Sequence, residues 1–141
     1  MIDKTKVNLR VLNSLSEISQ IDWDHCACPE SKNGRPIDPF TTHRFLHALE
    51  ISGSVGAGTG WTPHYLQATL DATTIGVAPL YGKLHSQGEY IFDHNFAHAY
   101  ENAGGSYYPK MQIAVPHTPA TGRRLLVSEA HKNLAQSALI K

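Results

Sequence analysis

The sequence predicts a mixed α+β domain in which helices pack on a largely antiparallel sheet. Two apolar runs, residues 64–70 and 75–84, flank a short polar turn, which is the pattern of an antiparallel hairpin. Other segments, such as residues 7–11 and 111–115, alternate apolar and polar side chains with the period of a half-buried strand. Between them lie segments whose apolar residues recur at helical spacing. This succession of elements fits the α+β class.

The first part of the chain is expected to supply one strand and two helices. The strand covers residues 7–11, and Ser19 begins a helix that ends before the next proline. Thr41 or Thr42 caps the second helix at its N-terminus. Gly53 is a natural residue to end that helix, because glycine readily adopts the left-handed conformation.

The hairpin that follows is expected to turn at residues 71–74. Pro79 lies inside the second apolar run and cannot donate a ladder hydrogen bond. Its position therefore predicts a bulge or a sheet edge, and such places often redirect side chains beside active sites.

Residues 88–126 contain the highest density of chemically active side chains. An apolar strand over residues 90–92 is expected to deliver Asp93 and His94 to its end. A short helical run carrying His98 then continues to the glycines at 104 and 105.

A second strand, residues 111–115, ends at Pro116 and leads into the loop HTPATGRR. Residues 128–141 form an amphipathic pattern and are expected to be the last helix. The loop would then lie at a helix entrance, where unpaired N–H groups and the helix dipole favour a phosphate.

Composition limits the classes of partner. The chain has 141 residues, which suits one domain, with 12 basic and 12 acidic residues. A net charge of zero gives no global field toward DNA or an anionic membrane. No segment has the uninterrupted apolar length of a signal peptide or a membrane span, so a cytoplasmic location is expected.

Cysteine and histidine pairs offer only weak metal patterns. Cys26 and Cys28 are too close in sequence for an easy disulfide and are expected to be thiols in a reducing compartment. With His25 they make an incomplete zinc pattern, and two semi-buried residues at a helix end are the alternative. His43 and His47 have metal-ligand spacing on a helix but lack a third ligand.

Several short motifs occur in an order that resembles one protein family. The motifs are GSVG at 53–56, WTP at 61–63, APLY at 78–81, YIFDH at 90–94, AGG at 103–105 and YYPK at 107–110. They resemble the FemAB-like bacterial proteins, which are predicted N-acyltransferases of peptidoglycan biosynthesis or recognition with the GNAT acyltransferase fold. The resemblance covers about residues 40–126. Phe96 is a departure, because a tryptophan is expected there.

The resemblance implies that residues 1–141 form a single partial GNAT-like lobe. Family members are much longer and have two such lobes, so the chain is expected to be the N-terminal part of the first one. A GNAT lobe needs a further strand beside residues 110–115 to open its cleft, and the fold is therefore expected to be incomplete at its C-terminus. An unpaired strand edge then predicts self-association, and the isolated chain is expected to be inactive.

The resemblance also implies a donor site in the loop after residues 110–115. GNAT proteins have a pyrophosphate loop of the form Q/R-x-x-G-x-G/A there, and only its first glycine occurs in this sequence. Thr121, Gly122, Arg123 and Arg124 are the expected cofactor-binding residues, with acyl-CoA or aminoacyl-tRNA as the donor. The two arginines replace missing amide contacts with charge, or one pairs with a carboxylate and the other is solvated.

Acyl transfer to an amine requires a base and donors that stabilise an oxyanion. Asp93 and His94 are the expected catalytic residues, because they follow a strand end and an imidazole titrates near neutral pH. Asp93, His94 and His98 also match a carboxylate and two imidazoles around a metal, although no metal is expected. In a third interpretation, His94 only bonds a backbone group in the core.

Further polar and aromatic residues near this site are expected to orient an amine or a sugar-peptide acceptor. They are His98, Tyr100, Glu101, Tyr107, Tyr108 and Lys110. The rival hypothesis is a recognition module that binds a peptidoglycan precursor without making a bond, or an inactive truncated fragment. A donor site distinguishes the enzyme from the recognition module, since only an enzyme needs one.

Overall fold

The computed structural model describes residues 6–29 and 37–141. Within these ranges the chain forms four α-helices and seven strands, and every strand pairing is antiparallel. The α+β class is therefore confirmed. In chain order the elements are β1 (Asn8–Leu12), α1 (Gln20–Ala27), α2 (His43–Ile51), β2 (Trp61–Pro63), β3 (Tyr65–Leu70), β4 (Thr73–Ala78), β5 (Leu80–Lys83), α3 (His94–Asn102), β6 (Lys110–Ile113), β7 (Leu126–Val127) and α4 (Lys132–Ile140).

The strands form two sheets rather than the single sheet expected. The first has the order β1-β3-β4-β7 and the second the order β2-β5-β6. Strands β2 to β5 belong to one long hairpin that is bent in the middle. Its tip is a two-residue turn at Asp71 and Ala72, whose positive φ values of 46° and 65° suit the right-handed twist of the flanking strands.

The bend in the hairpin lies at His64 and Pro79, where both of its arms leave one sheet and enter the other. Across the bend, the N–H of His64 donates to the carbonyl of Leu80 at 2.9 Å. Pro79 lies between β4 and β5, where its missing N–H breaks no ladder. A bulge or a sheet edge was predicted at Pro79, and the structure has a change of sheet there. The register shift of the hairpin lies elsewhere, in β3 between Ala68 and Thr69.

Aromatic side chains from both arms of the hairpin form the centre of the main core. Trp23 of α1, Tyr65, Tyr81 and Trp61 meet edge to face in sequence, with centroid distances of 5.4–5.7 Å. The hydroxyls of Tyr65 and Tyr81 are 3.1 Å apart, so each buried phenol has a partner. Burial raises the pKa of both tyrosines far above the usual value.

Helix starts follow the sequence signals closely. Ser19 Oγ accepts the N–H of Asp22 at 3.1 Å, and Thr42 Oγ1 accepts the N–H of Phe45 at 3.3 Å. Of the two threonine candidates, Thr42 is therefore the cap. Gly53 follows α2 with a φ of 71°, as expected of a residue just past a helix end.

Two predicted elements differ in the structure. Residues 90–92 are not a strand: they pair with no described strand, Tyr90 has a φ of 56° and Phe92 is 87% exposed. The loop after Pro116 does not enter a helix, because β7 follows it and pairs with β4. The last helix begins at Lys132, after a short 3-10 turn at Glu129–His131, rather than at residue 128.

Candidate functional site

A cleft of about 350 Å³ lies beside β6. It is lined by residues 112–115, by the loop at residues 118–122 and by Arg124. The segment at residues 89–91 and the ring of Trp61 complete the lining. Two stretches singled out in the sequence, the loop after Pro116 and the run before Asp93, are thus brought together here.

A buried network of four charges supports the wall of this cleft. Lys83 of β5 and Lys110 of β6 are register partners, so their side chains leave the same face of the sheet. Glu89 lies between them, with Oε1 3.6 Å from Lys83 Nζ and Oε2 2.9 Å from Lys110 Nζ. Lys110 also donates to Asp93 Oδ2 at 2.6 Å. The Glu89 carboxylate therefore pairs with both cations and offsets their mutual repulsion.

Lys83 is the most deeply placed of these charges. Its side chain is completely buried, its ammonium lies 3.4 Å from the ring centroid of Trp61, and it donates to the carbonyl of Gln87 at 3.2 Å. Burial lowers the pKa of Lys83, and the neighbouring carboxylate of Glu89 opposes this effect. The indole and the carboxylate together compensate for the lost hydration.

Glu89 has a third partner on β6. In the amide orientation that satisfies its neighbours, the Gln112 nitrogen donates to Glu89 Oε1 at 2.9 Å. The Glu89 side chain is 3% exposed, yet both residues line the cleft. A carboxylate with three donors is fixed in position, so this part of the wall is rigid.

Asp93 lies at the far end of the network. Its Oδ2 accepts from Tyr107 Oη at 2.8 Å as well as from Lys110. Burial raises the pKa of Asp93, but the bonds from Lys110 and Tyr107 outweigh burial and hold the pKa well below its usual range. The hydrogen bond to Asp93 in turn raises the pKa of Tyr107. Asp93 is thus a fixed, ionised carboxylate at the start of α3.

The other predicted catalytic residue, His94, is the first residue of α3 and is exposed. Its ring lies 6.3 Å from that of Phe92. It does not contact the core, so the interpretation of His94 as a core histidine is wrong. His98, one turn further along the helix, is exposed as well. The described residues contain no group of three or more His, Cys, Asp or Glu side chains arranged to hold a metal.

The predicted acceptor residues divide into two groups. Lys110 and Tyr108 belong to the network, where Lys110 donates to Ser86 Oγ at 3.1 Å and the hydroxyls of Ser86 and Tyr108 are hydrogen-bonded. Tyr100 and Glu101 are exposed on α3, outside the network. Among the described residues, Tyr100 meets the network through an edge contact with the ring of Tyr107.

The predicted donor loop lines the cleft through Thr121, Gly122 and Arg124. Arg124 donates to the carbonyls of Arg123 at 3.1 Å and of Ala120 at 3.0 Å, which holds the guanidinium against the loop. Arg123 instead donates to the carbonyl of Ala27 at 3.0 Å. The two arginines therefore have different neighbours, and only Arg124 lines the cleft.

The cysteines lie away from this cleft. Cys26 and Cys28 are buried free thiols, and burial raises the pKa of Cys26 to about 12. His43 Nε2 donates to the carbonyls of Leu15 and Ile18, at 2.9 and 3.1 Å, which gives it a structural role in the core.

The sequence patterns did not predict a role for Lys83, Glu89 or Gln112. The sequence did contain a signal for Lys83, because this lysine lies two residues after Tyr81 and therefore on the same inward face of an otherwise apolar strand. A lysine at such a position requires a carboxylate partner. Glu89 lies in a loop, and no periodic pattern assigns a loop carboxylate to a particular lysine.

The geometry defines an α+β protein with a cleft whose wall is supported by a buried charge network. A family model described as peptidoglycan biosynthesis/recognition, the FemAB-like family, matches residues 14–141. The chain therefore belongs to the FemAB-like family, as its motifs predicted. Neither a curated protein nor a solved structure matches the chain. No helix among the described residues is long and apolar enough to cross a membrane.

Proposed function

We propose that the chain provides the binding cleft of an N-acyltransferase that modifies an amine of a peptidoglycan precursor. The observation that carries the proposal is the cleft beside β6, which is lined both by the cationic Arg124 and by the hydrogen-bonded pair of Glu89 and Gln112. The family description, peptidoglycan biosynthesis/recognition, supports the class of acceptor. A GNAT-like fold is part of the same proposal and rests on the motif resemblance.

Thr121, Gly122 and Arg124 of the loop bind the anionic part of the donor, either acyl-CoA or aminoacyl-tRNA. Arg124 is the main contact, because its guanidinium lines the cleft and presents donors beyond the two used on backbone carbonyls. The helix dipole expected at this loop does not contribute to donor binding, because β7 and not a helix follows the loop.

His94 is the proposed general base, with Asp93 as a positioning residue. The imidazole is exposed and adjoins a carboxylate whose ionised state is maintained by Lys110. An accessible imidazole is a side chain that can accept an ammonium proton around neutral pH. Because His94 does not line the cleft, the acceptor amine must approach from the α3 side.

A second candidate function is recognition of the precursor without chemistry. One observation favours it: the carboxylates of Glu89 and Asp93 are both ion-paired with lysines, so neither is free to act as a base. A binding module needs the cleft and the rigid wall but neither a base nor a donor.

The test is to incubate the chain with a muramoyl pentapeptide precursor and acyl-CoA or aminoacyl-tRNA, and to measure the precursor mass. Transfer should occur and should fall by about 10²- to 10⁴-fold in His94→Gln, with little change in melting temperature because the side chain is exposed. His25→Gln, an exposed histidine on α1 rather than α3, is the matched control and should retain the rate.

Thermal shifts separate the two candidates, because a ligand that binds only the native state must stabilise it. Stabilisation by precursor and donor together with mass transfer supports the enzyme. Stabilisation by precursor alone, without transfer, supports the recognition module. Absence of any shift with the precursor would contradict both.

A further inference from the structure

Four aromatic side chains are exposed on one short stretch of the chain, residues 90–100. They are Tyr90, Phe92, Phe96 and Tyr100, which we call the aromatic surface, and their exposed fractions range from 55% to 87%. The other aromatic side chains of the described residues are buried or half-buried. An uncovered aromatic side chain presents about 150–250 Å², so the four together expose on the order of 400–700 Å². The largest apolar patch of a monomeric protein is about 300–600 Å², and a patch of this size is often functional.

The backbone that carries the aromatic surface is held at both ends of its loop segment, residues 90–92. Glu89, just before this segment, is held by the two lysines and the glutamine of the charge network. Asp93, just after it, is held by Lys110 and Tyr107. α3 then begins at once and carries the other two side chains of the surface one turn apart on one face. The exposed rings are therefore presented by an anchored backbone and not by a free loop.

The aromatic surface is continuous with the site described above. Tyr90 and its neighbour Ile91 also line the cleft beside β6. At the other end of the segment, the ring of Phe92 lies 6.3 Å from the ring of His94. A ligand that covers the aromatic surface therefore lies next to both the cleft and the proposed base.

The charge of this region fits an uncharged ligand. Residues 84–109 contain no lysine or arginine. The lysines on either side of this range, Lys83 and Lys110, are paired with carboxylates in the buried network. A helix that binds an anionic membrane carries basic side chains beside its aromatic ones, and residues 84–109 provide none. The ligand is therefore neutral where it covers the aromatic surface.

A sugar ring has the chemistry that such a surface accepts. One face of a pyranose presents C–H groups, whose positive polarity suits the negative face of an aromatic ring. Its hydroxyl groups both donate and accept hydrogen bonds, and amide and imidazole side chains can match them. Asn95, His98 and Asn102 are exposed on α3, the helix that carries Phe96 and Tyr100. Stacking groups and neutral hydrogen-bonding groups thus occur on the same element.

A second copy of the chain is a poorer match for the aromatic surface. A stable protein–protein interface buries about 800 Å² on each partner. The aromatic surface exposes on the order of 400–700 Å², which is too little even when completely covered. A sugar needs much less area, because a pyranose is similar in size to a single aromatic ring.

From these observations we infer that the aromatic surface binds the sugar of the precursor, with a pyranose ring stacked on Phe92 and Phe96. The inference rests on the proposed function and assigns the sugar part of the acceptor, which that function leaves open. A sugar bound here places the rest of the acceptor beside His94 and the cleft. Phe92 and Phe96 are thus substrate-binding residues that take no part in proton transfer.

The first test titrates the chain with two ligands that contain sugars. One is the trisaccharide of N-acetylglucosamine, which is soluble and uncharged, and the other is the muramoyl pentapeptide precursor. Both should bind in calorimetry. Saturation-transfer NMR should give its strongest signals on the C–H protons of one sugar face, because those protons lie against the aromatic rings.

Protein variants test stacking directly. Phe96→Leu keeps an apolar side chain but has no aromatic face, so it should weaken binding of both ligands about tenfold, as should Phe92→Leu. Phe96→Trp has a larger ring and should bind at least as tightly as the wild type. Ile21→Ala, which removes an exposed apolar side chain on α1, is the matched control and should change the dissociation constants by less than about twofold. All of these side chains are exposed, so the melting temperatures should stay close to that of the wild type.

The pentapeptide without its sugar separates the two parts of the ligand. It should bind the wild type and Phe96→Leu equally, because it lacks the group that stacks on the ring. If Phe96→Leu weakened the pentapeptide as much as the whole precursor, the surface would bind peptide and the inference would be wrong.

Other outcomes would also overturn the inference. Failure of the trisaccharide to bind, or unchanged binding of the precursor in both leucine variants, would show that the sugar lies elsewhere and would leave the proposed function standing. Vesicles of phosphatidylcholine and phosphatidylglycerol that compete with the trisaccharide would assign the surface to a membrane. A dimer that dissociates in Phe96→Asp would assign it to a second copy of the chain. No binding of the whole precursor would contradict the proposed function itself.

Discussion

Replacement of Glu89 by glutamine should destabilise the fold severely, although it preserves the shape of the side chain. Lys83 and Lys110 are register partners on one face of the sheet, and Glu89 is the carboxylate between them. Lys83 is completely buried and Glu89 is 3% exposed, so neither can recover hydration in place. Glu89→Gln leaves two ammonium groups facing each other across adjacent strands.

The magnitude follows from the burial of the pair. Removing one partner of a buried ion pair costs about 3–5 kcal/mol. Unfolding entropy near 60 °C is about 2.1 cal/mol/K per residue, or about 0.3 kcal/mol/K for this chain, so the melting temperature should fall by about 10–17 °C. Lys110 keeps Asp93 as a partner, and most of the cost therefore comes from Lys83.

Calorimetry or circular dichroism on Glu89→Gln measures this shift directly. Glu129→Gln, an exposed site, is the control and should change the free energy of unfolding by less than about 0.5 kcal/mol. Lys83→Met combined with Glu89→Gln should recover part of the loss, because the uncompensated buried cation is gone. A Glu89→Gln variant that unfolds within about 1 kcal/mol of the wild type would refute the view that Glu89 separates the two lysines.

Three further predictions concern charge, thiol reactivity and association. Because the folded pKa of Asp93 is depressed, its stabilising effect should be present above the unfolded pKa of about 3.9 and be lost as pH falls toward the folded value. Asp93→Asn should therefore be less stable than wild type in urea titrations at pH 7, with a gap that narrows below about pH 4; a constant gap would contradict the ion pair with Lys110. Cys26, buried and with its pKa raised to about 12, should react with a thiol reagent at pH 8 only on unfolding, and rapid modification of the folded chain would contradict its burial. In the part of the chain that the structure describes, β6 is the last strand of its sheet, which predicts concentration-dependent self-association in light scattering; Met111→Lys at this exposed position should reduce it, and a monomer at all concentrations would count against it.

Local signals in the sequence predicted the parts of the fold that depend on neighbouring residues. The caps at Ser19 and Thr42 and the glycine after α2 are short-range features, and the structure has them where the sequence placed them. The hairpin was also predicted, because its two apolar runs are adjacent in the chain. Its turn proved shorter than expected, with Thr73 already in β4.

The failures concern features that depend on distant parts of the chain. Residues 90–92 have an apolar strand pattern, but a strand needs a partner edge, and the segment instead spans between two ion-paired carboxylates, Glu89 and Asp93. β7 has two residues, too few to show a period. It is a strand because it pairs with the edge of β4 that does not face β3.

The residues of the site show the same division between those that the sequence predicted and those that it did not. Asp93, Lys110 and Tyr108 were chosen for their position near the motifs, and the structure brings them into one network. Lys83 and Glu89 were not chosen, because their opposition requires the β5–β6 register, which no single segment encodes. The catalytic role of His94 remains a prediction.

The bend at His64 and Pro79 also determines how the molecule unfolds. One continuous hairpin contributes β3 and β4, next to its tip, to the first sheet, and β2 and β5 to the second. Both sheets therefore contain strands of the same hairpin. Separation of the sheets would break the same ribbon that carries the aromatic core residues Trp61, Tyr65 and Tyr81. The hydrogen-bonded amides of this ribbon therefore belong to the same cooperative unit as the core and are expected to exchange with solvent only when the whole domain opens.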